Sequence, residues 1–187
     1  MTTIAAIHVH SKGLYFGSDT QVTAGNRRVE LMSPSGKWVV AEDGNWICGY
    51  AGAFRTANII EAERDTLFHK LDSPVSFVYR LQDTLHQHHF SLKARATDDE
   101  EEGIGSRHPT FDCSLLLGSR DGLWEIGPDF SVLQCGDSAA TGSGSHYALG
   151  ALHALSAKKP VDRLKAALMT AISLDPYSGG KIVIGTL

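Results

Sequence analysis

The chain has 187 residues, with 42% hydrophobic and 20% charged residues, which is typical of a globular protein of one domain with a sizeable core. Its net charge of −4 gives no indication of binding to nucleic acid or to an anionic membrane surface. The cysteines Cys48, Cys113 and Cys135 show no paired spacing, which argues against a disulfide framework and favours the cytoplasm.

Targeting and membrane segments are not expected either. No apolar run approaches the roughly 18 residues that a membrane span requires. The start of the chain has no basic region followed by an apolar one, so it does not predict a signal peptide. The start of the chain is instead predicted to be the beginning of a β-strand.

Alternating and β-branched residues predict strands in the first third of the chain. A hairpin is expected from Thr2–His10 and Leu14–Gly17, because Ser11-Lys12-Gly13 separates them. The stretch 21–28 contains Gly25-Asn26 and is predicted to be a turn. Further strands are expected at 38–41 and 46–50, and Ala51-Gly52-Ala53 is expected to break the pattern.

Helices and strands then follow in separate runs. Apolar spacing predicts a helix over 54–71 and a second from Ser73-Pro74 to about Leu92. The polar stretch 93–110, with its acidic run at 98–102, is predicted to be a loop. The remaining predictions are strands at 111–117, 123–126, 130–135 and 181–187, and helices at 145–156 and 160–174. This order predicts a layered α+β domain spanning 1–187.

Thr2 carries a possible nucleophile. A hydroxyl needs an adjacent base to attack at neutral pH, and a free α-amine has a pKa near 7.7–8.0. Thr2 would supply both groups if Met1 were removed, and its small side chain makes that removal accessible to an aminopeptidase. The terminus alone is weak evidence, since most chains that start this way are not hydrolases.

Five further motifs follow Thr2 in a fixed order. Each is weak alone, because turns, caps and surface lysines produce similar patterns. They are Gly17-Ser18-Asp19-Thr20-Gln21, Ser35-Gly36-Lys37, Gly49-Tyr50-Ala51-Gly52-Ala53, Ala140-Thr141-Gly142-Ser143-Gly144-Ser145-His146-Tyr147 and Asp175-Pro176-Tyr177-Ser178-Gly179-Gly180.

Together with Thr2-Thr3-Ile4, these motifs resemble the proteasome β-subunit and its bacterial counterpart, the HslV peptidase, over nearly the whole chain. The interval from Lys37 to Gly49 matches HslV, whereas the last two motifs are more similar to the proteasome. The chain is thus similar to the bacterial proteasome homologues of β-proteobacteria. The resemblance implies a four-layer αββα sandwich, the fold of N-terminal nucleophile hydrolases.

The resemblance also implies roles for single residues. Thr2 would be the nucleophile, Asp19 would hold Lys37 near the α-amine, and the Gly52 N–H would stabilise the oxyanion. Ser143, Asp175 and Ser178 would form a supporting network, although Ser143 could equally cap a helix and the other two could form only a turn. Gln21 and Tyr50 would contact substrate, although Tyr50 could equally be a core residue.

Assembly and partners are implied by the resemblance alone. The expected state is a homo-oligomer of two stacked rings, of six or seven subunits each and therefore twelve or fourteen in all. An ATP-dependent unfoldase is the expected partner, and unfolded proteins or peptides are the expected substrates. Peptide-bond chemistry would need no cofactor, but a monovalent or divalent structural cation could lie near the Asp175–Ser178 turn.

Other interpretations remain open. The chain could be a catalytically silent ring subunit, or an N-terminal nucleophile amidohydrolase that acts on small amides. His86 and His89 would share a helix face, but no cysteine or carboxylate motif joins them, so no residue is assigned as a metal ligand. Gly142-Ser143-Gly144 lacks the third glycine of a dinucleotide fingerprint.

Overall fold

The computed structural model describes residues 2–10, 12–24, 27–31, 36–88, 93–94 and 109–187. Predictions for Met1, for the helix end near Leu92 and for the acidic run 98–102 lie outside these ranges. The strands are β1 (Thr3–Val9), β2 (Gly13–Asp19), β3 (Gln21–Ala24), β4 (Arg27–Glu30), β5 (Trp38–Val40), β6 (Trp46–Gly52), β7 (Lys93–Ala94), β8 (Pro109–Thr110), β9 (Cys113–Ser119), β10 (Gly122–Ile126), β11 (Val132–Gln134), β12 (Ser138–Gly142) and β13 (Ile182–Thr186). The helices are α1 (Phe54–Ala62), α2 (Arg64–Phe68), α3 (Pro74–Gln87), α4 (Ser145–Ala154) and α5 (Pro160–Leu174).

Two antiparallel sheets form the centre of the protein. One has four strands in the order β12-β1-β2-β13, and the other has five in the order β11-β10-β9-β6-β5. The predicted hairpin is present, with Ile4 opposite Ser18 and Val9 opposite Gly13. Both sheets are buried on both faces, which explains why β1 and β9 read as nearly continuous apolar runs.

The protein has four layers, and a hydrophobic cluster lies between each pair of adjacent layers. Ile4, Phe16 and Leu116 belong to the cluster between the two sheets. Ala5 lies on the opposite face of β1 and packs with Leu168 of α5, in the cluster that α4 and α5 share with the four-stranded sheet. The third cluster joins α1, α2 and α3 to the five-stranded sheet. The predicted αββα sandwich is therefore confirmed.

The first predicted helix is interrupted. It was expected to continue over 54–71, but α1 ends at Ala62, and Glu63 has φ −100° and ψ 17°. The short α2 that follows ends at Phe68, and there the Arg80 guanidinium of α3 donates to the carbonyls of Leu67 and His69, the latter at 2.6 Å. Periodicity does not reveal such a break, since the apolar spacing continues across it. Ser73 caps α3 as predicted, accepting from the Ser76 amide at 3.1 Å.

Several strand predictions were also wrong or too short. The stretch 21–28 was predicted as a turn, but β3 and β4 pair there, with Gln21 opposite Glu30. The strand β6 continues through Ala51 and Gly52 rather than breaking at them. The strand β12, at the edge of the four-stranded sheet, was missed because its residues are too small to give a strong strand pattern. Its pairing with β1 through backbone hydrogen bonds defines it. Two ends of the predicted loop 93–110 pair as β7 and β8.

None of the helices in the described part of the chain is long and apolar enough to cross a membrane.

Gly49 sets how closely the two sheets approach. A Cβ at this position of β6 would lie 2.7 Å from the Phe16 ring and 3.0 Å from Ile4, and both of these side chains are fully buried. We expect Gly49→Val to lower the free energy of unfolding by about 1–3 kcal/mol through overpacking. Gly150→Ala is the matched control, because its Cβ would meet nothing within 4 Å. It should instead stabilise α4 by roughly 0.5–1 kcal/mol. Urea denaturation of both variants checks this, and equal midpoints would contradict it.

Candidate active site

A buried ion pair lies at the end of β2. Lys37 Nζ donates to Asp19 Oδ1 at 2.7 Å, and the two side chains are only 1% and 0% exposed. The same ammonium donates to the Gln21 carbonyl at 2.5 Å. A lysine ammonium has three N–H donors, so one remains for a further partner. The Lys37 amide in turn donates to Ser18 Oγ at 3.2 Å, which holds the segment before β5 against β2.

The Asp19 carboxylate collects donors from three other parts of the chain. Its Oδ1 accepts from the Thr3 amide at 2.9 Å, and its Oδ2 accepts from the amides of Gln21 at 3.2 Å and Gly179 at 3.0 Å. With Lys37, four donors satisfy the two oxygens, as a buried charge requires. One side chain therefore positions the first residues of β1 beside Lys37.

Burial sets the ionisation of Lys37. Desolvation lowers the pKa of the Lys37 ammonium, and the charge and hydrogen bond of Asp19 oppose this, as does the more distant Asp175. The ammonium is thus held by its carboxylate partner in a place where an unpaired cation would be unstable. This arrangement can present a fixed positive charge next to the start of β1.

A second network lies on the other side of the N-terminal residues. Ser143 Oγ and Ser178 Oγ both donate to Asp175 Oδ2, each at 2.6 Å. Ser178 Oγ lies 2.6 Å from Thr3 Oγ1. Because the Ser178 hydroxyl proton is already donated to Asp175, the Thr3 hydroxyl must be the donor in that contact. The chain of hydrogen bonds therefore runs from Thr3 through Ser178 to Asp175.

Asp175 is suited to its place in this network. Burial disfavours its charged form, but the hydroxyls of Ser143 and Ser178 and the amide of Tyr177 donate to it, and together they lower the pKa of Asp175. It therefore remains a carboxylate at neutral pH and fixes the orientation of both serines.

Thr2 lies between the two networks along the backbone. Its carbonyl oxygen lies 3.5 Å from Ser143 Oγ, whose proton is already donated to Asp175, and Thr2 is only 6% exposed. Gly142 lies against it, since a Cβ there would come 2.0 Å from the Thr2 carbonyl oxygen. Gly142 also has φ +96°, a conformation that side chains rarely adopt. A glycine is thus required at the end of β12 for β1 to begin here.

Gly52 ends the strand β6 in a conformation open only to glycine. Its φ is +144°, and a Cβ would lie 2.3 Å from the Asp112 carbonyl oxygen. Tyr50, two residues earlier, faces the opposite way from the sheet–sheet interface and packs in the cluster with α1. Its hydroxyl donates to Glu61 at 2.6 Å, and burial together with Glu61 raises the pKa of Tyr50. The structure thus gives Tyr50 a core environment with a polar end.

The structure brings together most of the site residues that the motifs predicted. Asp19, Lys37 and the Gln21 backbone meet at one network, and Ser143, Asp175 and Ser178 meet at the other. The Gln21 side chain contacts Thr23 Oγ1 at 3.4 Å.

Three supporting residues were missed: Thr3, Ser18 and Glu61. Ser18 and Thr3 are next to predicted site residues in the sequence, but only the strand register shows which groups their hydroxyls contact. For Glu61 the sequence has no signal other than helical spacing.

The suggested cation near the Asp175–Ser178 turn stays a prediction. The Asp175 carboxylate already accepts three hydrogen bonds, from Ser143, Ser178 and Tyr177. Backbone carbonyls would therefore have to supply most of the ligands there.

No protein-family model matches the sequence, and no curated protein matches it closely enough to count as a relative. Solved structures do match. BPH of Thiobacillus denitrificans in complex with epoxomicin superposes with a TM-score of 0.72 at 18% identity, covering 100% of this chain and 98% of that one. BPH from the same organism in a second structure gives 0.71 at 20% identity, covering 100% and 97%.

Eukaryotic HslV from Trypanosoma brucei is also similar, with a TM-score of 0.67 at 20% identity, covering 100% of this chain and 99% of that one. These identities are too low to carry functional residues across. Over its whole length, the chain shares the four-layer αββα fold of BPH and of HslV.

Proposed function

We propose that this chain is the peptidase subunit of a proteasome-like ring protease, with Thr2 as its nucleophile after removal of Met1. The observation that carries this proposal is the buried Asp19–Lys37 pair, whose carboxylate also holds the Thr3 amide at 2.9 Å. A buried lysine beside the first residues of a strand has no evident structural use that an apolar side chain would not serve better.

Removal of Met1 is needed because the Thr2 nitrogen is otherwise part of a peptide bond and is not a base. A free α-amine at Thr2 would accept protons near neutral pH. The neighbouring Lys37 charge disfavours protonation of that amine and keeps it available as a base. Asp19 makes this possible, since it stabilises the charge of Lys37 in a buried place. Met1 itself lies outside the described residues.

The reaction then follows ordinary acyl transfer. The Thr2 hydroxyl gives its proton to the α-amine, and its oxygen forms a bond to the carbonyl carbon of the scissile peptide. The resulting tetrahedral intermediate collapses when the C–N bond breaks, and the α-ammonium returns the proton to the leaving amine. A water molecule then attacks the ester, with the α-amine again as base, and releases the acid product and free Thr2.

Charge that develops on the carbonyl oxygen needs hydrogen-bond donors. The Gly52 N–H is the proposed donor, because a residue without Cβ lets the substrate backbone approach closely. Ser143, Asp175 and Ser178 would orient the Thr2 main chain through the Thr3 and Thr2 contacts already described. A substrate contact is proposed for Gln21. Tyr50 takes the core role that the sequence left open for it, since its ring is buried with α1 and its hydroxyl donates to Glu61.

Assembly into rings is part of the proposal. Support comes from the fold, which this chain shares over its whole length with BPH and HslV. A closed chamber in the cytoplasm would admit only unfolded proteins or peptides, and an ATP-dependent unfoldase would supply them. The expected assembly contains twelve or fourteen copies of the chain.

Two other functions make different demands on the site. A silent ring subunit would keep Met1 and would need no charge near Thr2. An amidohydrolase of the same fold would cleave small amides but not unfolded proteins. The buried Asp19–Lys37 pair and the separate network of Ser143, Asp175 and Ser178 favour a catalytic chain over the silent subunit. Comparing a small amide with an unfolded protein substrate separates the peptidase from the amidohydrolase.

Thr2→Ala tests the nucleophile. We expect peptide hydrolysis to fall by at least about a thousandfold, since no other hydroxyl is proposed to attack. Assembly, measured by light scattering, should be unchanged, because the substitution removes only two side-chain atoms and keeps the Thr2 backbone against Gly142. Thr2→Ser is the matched control and should keep measurable activity. A mature Thr2→Ala protein with full activity would exclude the proposed chemistry.

Lys37→Met tests the buried cation. It leaves Asp19 without its partner, so the single variant should lose roughly 3–5 kcal/mol of stability as well as activity. The double variant Asp19→Asn, Lys37→Met removes both charges, so it should be more stable than the single variant yet still be nearly inactive. Lys165→Met changes an exposed lysine and should have the wild-type rate. A folded double variant with an unchanged rate would remove Lys37 from the mechanism.

The state of the N-terminus decides whether a given preparation can be active. Intact mass spectrometry reports whether Met1 is present, and epoxomicin, which is bound in one BPH structure, is a suitable probe. We expect chains that lack Met1 to gain the mass of one probe and chains that keep Met1 to gain none. A Met1-free preparation that neither binds the probe nor cleaves peptides would favour the silent subunit.

A further inference from the structure

Three side chains with metal-binding atoms meet at the end of β1 that is opposite to Thr2. His8, His10 and Asp137 each offer one ligand atom, and these atoms all lie within 4.8 Å of one another. Along the strand, this end is roughly 25 Å from Thr2 at the usual rise per residue. The cluster therefore shares no residue with the proposed active site.

His8 is held in the state that a metal ligand needs. It is buried, and its Nε2 lies 2.8 Å from the carbonyl oxygen of Arg120. A carbonyl can only accept, so Nε2 carries the proton, and in the neutral ring Nδ1 is left with a free lone pair. Metal-bound histidines in proteins are fixed by the same kind of contact to a backbone carbonyl.

His10 and Asp137 complete a set of three ligands. They are 83% and 74% exposed, and His10 Nε2 lies 3.5 Å from Asp137 Oδ1, which is too long for a good hydrogen bond. Ligand atoms about 2.0–2.2 Å from a tetrahedral zinc ion lie about 3.3 Å from one another. The present separation is therefore close to what an ion between these two atoms would require.

The backbone brings these residues together where β1 ends and β12 begins. The His8 amide donates to the Asp137 carbonyl at 2.9 Å, and Ile7 pairs with Ser138, so β1 and β12 meet at the cluster. The rings of His8 and His10 are in edge contact, with centroids 4.9 Å apart. Closing the three ligands on an ion needs rotation of the two exposed side chains only.

The charged residues beside the cluster influence which metal ions it can bind. His10, Lys12 and Arg120 line an adjoining cavity of about 340 Å³, which has room for water. Lys12 and Arg120 weaken the attraction of the single Asp137 carboxylate for Mg²⁺ or Ca²⁺, so imidazole nitrogen has to supply the affinity. Two imidazoles and one carboxylate suit zinc and its neighbours in the first transition row.

We propose that His8 Nδ1, His10 and Asp137 bind a divalent transition-metal ion of the zinc type, with water in the remaining position. The ion ties the end of β1 to the start of β12. Through the contact of His8 with the Arg120 carbonyl, it also braces the turn between β9 and β10 in the other sheet. Its role is to stabilise this corner of the sandwich, independently of the proposed peptidase chemistry.

Calorimetric titration of the full chain with Zn²⁺, after removal of metals by a chelator, tests the site. We expect one ion per chain, with affinity lowered at least about tenfold in His10→Ala and in Asp137→Ala. Both residues are exposed, so these variants should fold. His86→Ala and His153→Ala, which change exposed histidines elsewhere, should bind as the wild type does.

Thermal unfolding provides the second measurement. Zn²⁺ should raise the melting temperature of the wild type and of both control variants, but not that of His10→Ala or Asp137→Ala. Mg²⁺ should raise none of them. The proposal is wrong if the wild type binds no Zn²⁺ at about 100 µM. It is also wrong if His10→Ala and Asp137→Ala bind as the wild type does, or if only the control variants lose binding.

Discussion

The rest of the site depends on one buried carboxylate. Asp19 is fully buried, and it accepts hydrogen bonds from Lys37 Nζ and from the amides of Thr3, Gln21 and Gly179. Gln21 follows β2 directly, whereas Thr3, Lys37 and Gly179 come from three distant places along the chain and have to be brought to the end of β2. An ion buried without such partners costs several kcal/mol, so the carboxylate and the fold around it are stable only together.

That constraint explains why glycines are concentrated near the N-terminal residues. The chain must pass very close to Thr2, Thr3 and Gln21, and side chains would block it. A Cβ at Gly144 would lie 2.1 Å from Thr3 Oγ1, and one at Gly179 would lie 2.4 Å from the Gln21 side chain. Gly144 and Gly179 therefore allow close contact between segments rather than flexibility. This explains why the motifs that contain them are rich in glycine.

How much of this could be predicted from sequence depends on the range of the interaction. Helix α5, the Ser73 cap of α3 and the β1–β2 hairpin follow from local patterns and were predicted nearly to their ends. By contrast, β12 has small side chains, and only its pairing with β1 makes it a strand.

The same distinction applies to the site. The order of the motifs predicted Asp19 and Lys37 as site residues. The Thr3–Ser178 and Tyr50–Glu61 contacts join residues 175 and 11 positions apart, and they depend on strand register and packing.

The two ends of strand β1 carry different chemical groups, and the buried middle of the strand connects them. Its middle is fully enclosed, so neither end can shift along the strand without disturbing both sheets. Thr3, which follows the nucleophile, can thus keep its hydrogen bonds to both networks only if the far end of the strand is also fixed. There, His8 reaches across to the Arg120 carbonyl of the other sheet, and His10 and Asp137 stand beside it. A metal ion at that end would strengthen the same strand that carries the nucleophile, without adding any group to the reaction itself.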